Sequence, residues 1–174
     1  VSYPFAAHAA RGVRVDEVPL EDIPSAARGV DVVASSVVQS ADGRILDLDA
    51  LRKSTRGTGT RVLFDATQSL GWFDEPLDWA DAVVASGYKW LLSPRGCAWI
   101  HLSQSLAGEL TPIAASWFAG EIRSESIYGL PPKLAASARR FDSSPAWIPN
   151  AGAAIALPWL ATLDRAEVRA QPGE

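Results

Sequence analysis

Five short runs of mostly apolar residues recur along the first hundred residues: Val13–Val18, Val30–Val38, Arg61–Asp65, Ala82–Ser86 and Cys97–Leu102. They constrain the fold more tightly than anything else in the sequence. Their lengths suit strands, and their apolar residues cluster instead of alternating, as in Val30-Asp31-Val32-Val33-Ala34. A strand apolar on both sides is covered on both faces, which is the mark of a largely parallel sheet between helical layers. The expected fold class is α/β, a layered α/β/α arrangement on a mostly parallel sheet. Hydrophobic residues are 48% of the 174 and charged ones 21%, enough for a packed core.

The connecting stretches read as helices where their spacing allows. Leu46–Arg56 has Leu48 and Leu51 three apart, Asp47 and Asp49 in its first turn, and Lys53 and Arg56 near its end, with Gly57 and Gly59 as the stop. A short helix is expected at Gln104–Glu109. From there to Pro145 the chain is irregular, broken by Pro112, Gly120, Gly129, Pro131 and Pro132. A connection that long inside a domain is usually functional or interface-forming. An Ala- and Leu-rich helical pattern resumes from Trp147 to Val168, and Pro158 is expected to split it in two.

Charge narrows the partners. A formal net charge of −4 gives no general attraction to nucleic acid or anionic membrane, so a phosphate group would need a local site. The single cysteine, Cys97, rules out an internal disulfide and fits a reducing compartment, with the cytoplasm as the default. It also follows Gly96 in a strand, where burial is expected before reactivity. His8 and His101 suggest no metal site. Neither an 18-residue apolar run nor an export signal is visible. The chain opens at Val1, contains no Met, and closes on Gln171-Pro172-Gly173-Glu174 after an interrupted helical pattern, so it reads as a piece of a longer protein.

The chemistry concentrates in Phe64-Asp65-Ala66-Thr67-Gln68 and in Ser86-Gly87-Tyr88-Lys89-Trp90. Asp65 closes one apolar strand and Lys89 follows another. Ligands of open α/β sheets lie beyond such carboxyl ends, so two opposite charges are expected to face one crevice. Each residue alone has an ordinary reading, Asp65 as a turn cap and Lys89 as a solvated surface lysine. Lys89, however, lies between Tyr88 and Trp90 with Leu91 and Leu92 beyond. Such surroundings would strip water from an ammonium and favour the neutral amine, which can form a Schiff base with an aldehyde.

Asp65-x-x-Gln68, Ser86-Gly87-Tyr88-Lys89-Trp90 and Pro94-Arg95-Gly96 resemble the cofactor-binding core of class V aminotransferases. These are fold-type I pyridoxal-phosphate enzymes, a group that includes cysteine desulfurases and is related to kynureninases. The resemblance implies that Lys89 holds pyridoxal 5'-phosphate as a Schiff base and, once released by substrate, moves the proton at the substrate Cα. It implies that Asp65 pairs with the pyridinium nitrogen, that Gln68 donates to the ring's phenolic oxygen, and that Ser86 and Tyr88 give hydroxyls to the phosphate, with Gly87 allowing close backbone approach. Tyr88 before the lysine matches kynureninases, whereas Gln68 matches aminotransferases and desulfurases, so the two patterns are mixed. Ser40, in Val38-Gln39-Ser40-Ala41-Asp42-Gly43, stands where the family often has an Asn beside the cofactor; it either does that work or only shapes the turn.

Ser116-Trp117-Phe118-Ala119-Gly120 and Phe141-Asp142-Ser143-Ser144-Pro145 resemble kynureninase-like segments that reach a neighbouring subunit's phosphate. Trp117 and Ser144 would then complete a partner's site in a homodimer; the alternative is that Trp117 and Phe118 are core or interface aromatics. Arg139-Arg140 has two readings, a receiver for a substrate carboxylate and, ahead of it, a solvated pair; Arg95 is expected to be a cap. The resemblance spans about Gly12 to Leu163 and makes residues 1–174 part of a large cofactor domain, without the family's earlier ring-stacking segment or its later small domain. The expected activity is amino transfer or β-elimination (desulfuration) on an amino acid. Kynureninase-like hydrolysis, or a non-catalytic module that keeps only the fold, are the alternatives.

Overall fold

The computed structural model describes residues 1–130 and 133–170; Pro131, Pro132 and the closing Gln171–Glu174 lie outside the described residues. Four strands form one sheet in the order β1 (Val32–Ser36), β2 (Arg61–Asp65), β3 (Ala82–Ser86), β4 (Ala98–Leu102). The first three are parallel and β4 runs antiparallel to β3, so the α/β class and the mostly parallel sheet are as expected. Six helices accompany them: α1 (Tyr3–Ala6), α2 (Ile23–Ala26), α3 (Leu48–Thr55), α4 (Gln104–Glu109), α5 (Trp147–Leu160) and α6 (Arg165–Ala170). None is long and apolar enough to cross a membrane.

The core lies on the face of the sheet that α3 covers. Alternate residues of β2, Val62 and Phe64, turn inward with Val33 of β1 and meet Leu51 of α3, while Trp79 stands edge-on to Phe64 at 5.3 Å. Helix α3 forms where its caps allow. Asp47 is the N-cap, accepting from the Ala50 N–H at 2.8 Å, and Leu46 before it and Leu51 in the second turn both enter the core, the positions of a hydrophobic staple. Helix α4 starts in the same way, with Ser103 Oγ accepting from the Leu106 N–H.

Several expectations need correction. Val13–Val18 forms no strand; its valines stay 37–40% exposed and no backbone ladder reaches them among the described residues. An apolar run encodes the wish to be covered, whereas a strand also needs a partner edge. The Val30–Val38 run narrows to Val32–Ser36, because beyond Ser36 the chain turns back on itself: Val38 bridges Ile45 antiparallel, and the Gln39 N–H bonds to the Arg44 carbonyl at 2.8 Å. Pro158 does not split the C-terminal helix. It sits within α5, two residues before its end, where its missing N–H and ring disturb only the last turn. The break falls instead at 161–164, where Asp164 Oδ1 caps the start of α6 by accepting from the Ala166 N–H at 2.8 Å.

The described residues between 110 and 146 are irregular, as expected. They contain short 3₁₀ turns at Trp117–Ala119, Arg123–Glu125 and Ala138–Phe141, and one isolated bridge between Gly120 and Leu134.

Candidate functional site at the carboxyl edge of the sheet

Parallel pairing puts the ends of β1, β2 and β3 on one edge: Ser36 is in register with Asp65, and Asp65 with Val84. Two turns rise from that edge. The first follows β2, where the Ala66 N–H bonds to the Val84 carbonyl at 2.8 Å, and the Ser69 and Leu70 N–H groups bond back to the Ala66 carbonyl. The second follows β3 and carries Lys89. It is closed by the Gly87 N–H to the Cys97 carbonyl, the Ser93 N–H to the Gly87 carbonyl (both 2.9 Å) and the Leu92 N–H to the Lys89 carbonyl (3.0 Å). Leu92 holds a left-handed backbone with φ 50°, a strained conformation for a non-glycine residue of the kind that concentrates at functional sites.

The two turns are locked together. Thr67 Oγ1 accepts from the Ser86 N–H at 3.0 Å, and the rings of Trp72 and Trp90 lie 5.8 Å apart. Gly71, at φ 115°, brings its backbone so close to Trp90 that a Cβ would stand 3.0 Å from the Trp90 carbonyl oxygen. Gly87 is equally constrained, but by protein: a Cβ there would meet the Trp99 ring at 2.7 Å and Ser93 Cβ at 3.0 Å. Its smallness therefore serves packing against β4, a different reason from the backbone access expected of it.

Asp65 is half-buried. Its Oδ1 accepts from the Thr67 N–H at 2.9 Å, so the turn-cap reading holds for one oxygen, while Oδ2 has no hydrogen-bond partner among the described residues. Gln68 is half-buried too; its backbone carbonyl accepts from Trp72 Nε1 at 2.7 Å, and its side-chain amide is unengaged by the described residues. The hydroxyls of Ser86 and Tyr88 are likewise unengaged. Arg140 Nε is the one buried side-chain polar atom without a partner among the described residues, so these groups at the edge remain accessible.

Lys89 and its surroundings differ from expectation. The side chain is exposed, and neither Trp90, itself half exposed, nor Leu92 encloses it; consecutive residues of a tight turn point in different directions, so apolar sequence neighbours are not apolar spatial neighbours. Its Nζ lies 5.4 Å from the Tyr88 ring centroid. Arg95, expected to be a cap, instead places its guanidinium 4.1 Å from the same centroid. Two cations thus flank one tyrosine at the end of β3, next to Ser86. Cation–ring contact holds both near where an anion would meet the two hydroxyls.

Ser40 stands exposed in the tight turn after β1, on the same edge. Trp117 and Ser144 make no hydrogen bond or ring contact with that edge among the described residues. They belong to a second cluster, in which the Ser116 N–H bonds to the Asp142 carbonyl and Trp117 packs on Phe118 with ring centroids 4.3 Å apart. Arg139 and Arg140 are half-buried in it and not a solvated pair: Arg139 Nη2 donates to the Glu121 carbonyl and Arg140 lies over Phe141. Helix α5 joins the two regions. Its Pro149 and Gly152 pack on Gly96 and Pro94, and Trp147 meets Phe118 at 5.7 Å. Cys97 is buried as expected and lies 3.2 Å from Asn150 Oδ1. A cavity of about 550 Å³ runs beside Phe73, Val83, Trp99 and His101 and reaches Ser69 and Leu70 of the first turn, but not Asp65, Gln68, Ser86, Tyr88 or Lys89.

Thr67 and Arg95 are the edge residues that sequence reasoning missed. Thr67 stood inside the Asp65-x-x-Gln68 motif, and its hydroxyl was the available signal.

Known proteins share this fold. The chain is 32% identical over 142 residues to isopenicillin N epimerase of Streptomyces clavuligerus, covering 79% of this chain and 34% of the relative. It therefore spans about a third of the length of the curated relatives it matches. An apo cysteine desulfurase from Thermococcus onnurineus superposes with a TM-score of 0.81 over 97% of this chain and 44% of that one, at 21% identity, a likeness of fold. A mutant of the lyase C-DES, with glycine covalently linked to its PLP cofactor, superposes with a TM-score of 0.67 over 80% of this chain and 37% of that one, at 24% identity. The model of the aminotransferase class-V family matches residues 11–173, and the chain belongs to that family.

Proposed function

We propose that this chain is the cofactor-holding core of a pyridoxal-phosphate enzyme that acts on an amino acid, with Lys89 as the residue that carries the cofactor. The observation that bears most weight is the set of unengaged side-chain groups on one edge: Asp65 Oδ2, the Gln68 amide, the Ser86 and Tyr88 hydroxyls and the Lys89 amine. Their chemistry fits the cofactor group for group: a carboxylate for a pyridinium N–H, an amide donor for a phenolic oxygen, hydroxyls and nearby cations for a phosphate, and an amine for an aldehyde. When bound, pyridoxal phosphate supplies an electron sink that acidifies the Cα–H of an amino acid.

The chain's own residues do the rest. Thr67 holds the Asp65 carboxylate by its N–H, leaving Oδ2 to accept a hydrogen bond from the ring nitrogen and keep it protonated. Arg95, stacked on Tyr88, brings positive charge to the phosphate end. Lys89, freed by the incoming amine, moves the proton at the substrate Cα. Removing that proton is common to amino transfer, desulfuration, kynureninase-like hydrolysis and epimerisation. The identity to an epimerase favours a second reading within this one, in which the proton returns to the opposite face of Cα.

Trp117 and Ser144 fit the reading as residues offered to another subunit, because among the described residues they make no hydrogen bond or ring contact with the edge of their own chain. A homodimer would let each copy complete the other's phosphate site.

The chain has three lysines, Lys53, Lys89 and Lys133. Lys133 is ion-paired to Glu121 and Lys53 lies on α3, so borohydride reduction of the loaded protein followed by peptide mapping distinguishes them cleanly. The label is expected on Lys89, and Lys89→Ala is expected to lose it and to slow turnover by about 10²–10⁴-fold. A label on another lysine, or one that survives Lys89→Ala, overturns the assignment.

A further inference from the structure

We propose that Thr67 is a positioning residue that sets the span between the ring-binding carboxylate of Asp65 and the phosphate-binding hydroxyl of Ser86. This rests on the cofactor reading above. The parallel ladder between β2 and β3 stops at Asp65 and Val84, with one further bond from the Ala66 N–H to the Val84 carbonyl. Past that point the Ser86 N–H has no backbone partner on the β2 side, and the Thr67 hydroxyl accepts it at 3.0 Å. The same residue donates its backbone N–H to Asp65 Oδ1 at 2.9 Å. One residue therefore holds both ends of the site: its backbone fixes the carboxylate and its side chain fixes the start of the Lys89 turn.

The division between backbone and side chain makes the inference testable. Thr67→Val keeps shape and branching and keeps the N–H to Asp65, but removes the acceptor for Ser86. Only the phosphate end should loosen. In the full-length protein, the affinity for pyridoxal phosphate is expected to fall about tenfold, the loss of a half-buried hydrogen bond, while the affinity for pyridoxal, which lacks the phosphate, changes less than twofold. Thr67→Ser, which restores the hydroxyl, should recover most of the loss. A merely structural role would instead weaken both ligands together, in step with the melting temperature.

Hydrogen exchange at the Ser86 amide reads the clamp without any cofactor and should quicken about tenfold in Thr67→Val and not in Thr67→Ser. Should Thr67→Val fail to fold, Thr67→Ala, smaller but equally without an acceptor, carries the same comparison. Unchanged exchange, equal losses for the two ligands, or no recovery with serine overturns the proposal. Wild-type protein that takes up neither ligand overturns the cofactor reading instead, and the exchange measurement then still decides whether the clamp exists.

Discussion

The two stretches that carry the candidate functional residues are held in opposite ways. Residues 65–93 stand on a buried foundation: Phe64 is 0% exposed beneath them, and each turn is tied to the strands by backbone hydrogen bonds and to its neighbour through Thr67 and Gly71. Residues 113–130 and 133–144 stand on less: Ala119 and Ala135 are buried and joined by a backbone hydrogen bond, but no large side chain among them is fully buried. Ile113, Tyr128 and Leu130 are 98%, 90% and 92% exposed, and Lys133 with Glu121 forms a surface ion pair of the kind that contributes about 0–1 kcal/mol. Large apolar side chains this exposed are available to a second surface. A buried foundation fixes where Asp65, Gln68 and Lys89 stand, whereas Trp117 and Ser144 lie in a stretch whose large apolar side chains are left open.

The largest expected effect tests the foundation. Phe64→Ala removes a fully buried ring that also meets Trp79 edge-on, and should cost about 3–5 kcal/mol in urea unfolding. Ile113→Ser and Leu130→Ser should each stay within about 0.5 kcal/mol when unfolding is measured on the monomer. If the two exposed substitutions cost as much as the buried one, the contrast between the regions is wrong.

A smaller effect concerns association. Trp117→Ala should weaken self-association roughly tenfold, as loss of an interface aromatic does, and cofactor retention should fall in wild type as the protein is diluted through its dimer–monomer transition. Analytical ultracentrifugation that follows the absorbance of bound cofactor measures both. A monomer that keeps its cofactor fully bound would show the second region to be dispensable to the site and would sharpen the contrast into independence.

Legibility in the sequence followed the same division. Strands β2 and β3 and helix α4 emerge with the bounds expected of them, because local pattern and tertiary pairing agree there. The order Asp65, Gln68, Ser86, Lys89 placed these residues on one edge because strand ends in a parallel sheet must share it. What stayed hidden depended on contacts distant in sequence or on direction in space. Arg95 reaches back over Tyr88, Gly87 gives way to Trp99, and the neighbours of Lys89 point away from it. Val13–Val18 looked like a strand because periodicity reports what a segment could pair as, and says nothing of whether an edge is present to receive it.

The third piece of the edge, the turn bearing Ser40, supplies the smallest effect and an intermediate case. It is closed by its own backbone bonds, like the Lys89 turn, but secured by exposed charges: Arg44 Nε reaches Asp42 at 2.8 Å and Arg44 Nη1 reaches Glu21 at 3.0 Å. The Arg44 backbone N–H, its guanidinium hydrogen bond and its charge hold the Asp42 carboxyl below its ordinary value of 3.8. A group whose folded value is lowered stabilises the fold above its unfolded value and loses that contribution as the pH falls through the folded one. Asp42→Ala should therefore be slightly less stable than wild type at pH 7, and the gap should begin to shrink as the pH falls below about 4 and go on shrinking as it falls through the lowered folded value. One molar salt at pH 7 should shrink the same gap, since both partners are in solvent. Urea midpoints at pH 7 and pH 3, with amide exchange at Gly43 and Arg44 as the local readout, test this. A gap that does not shrink between pH 7 and pH 3 would mean that the backbone turn, and not the charge, holds Ser40 in place, which would move this turn into the same class as the Lys89 turn.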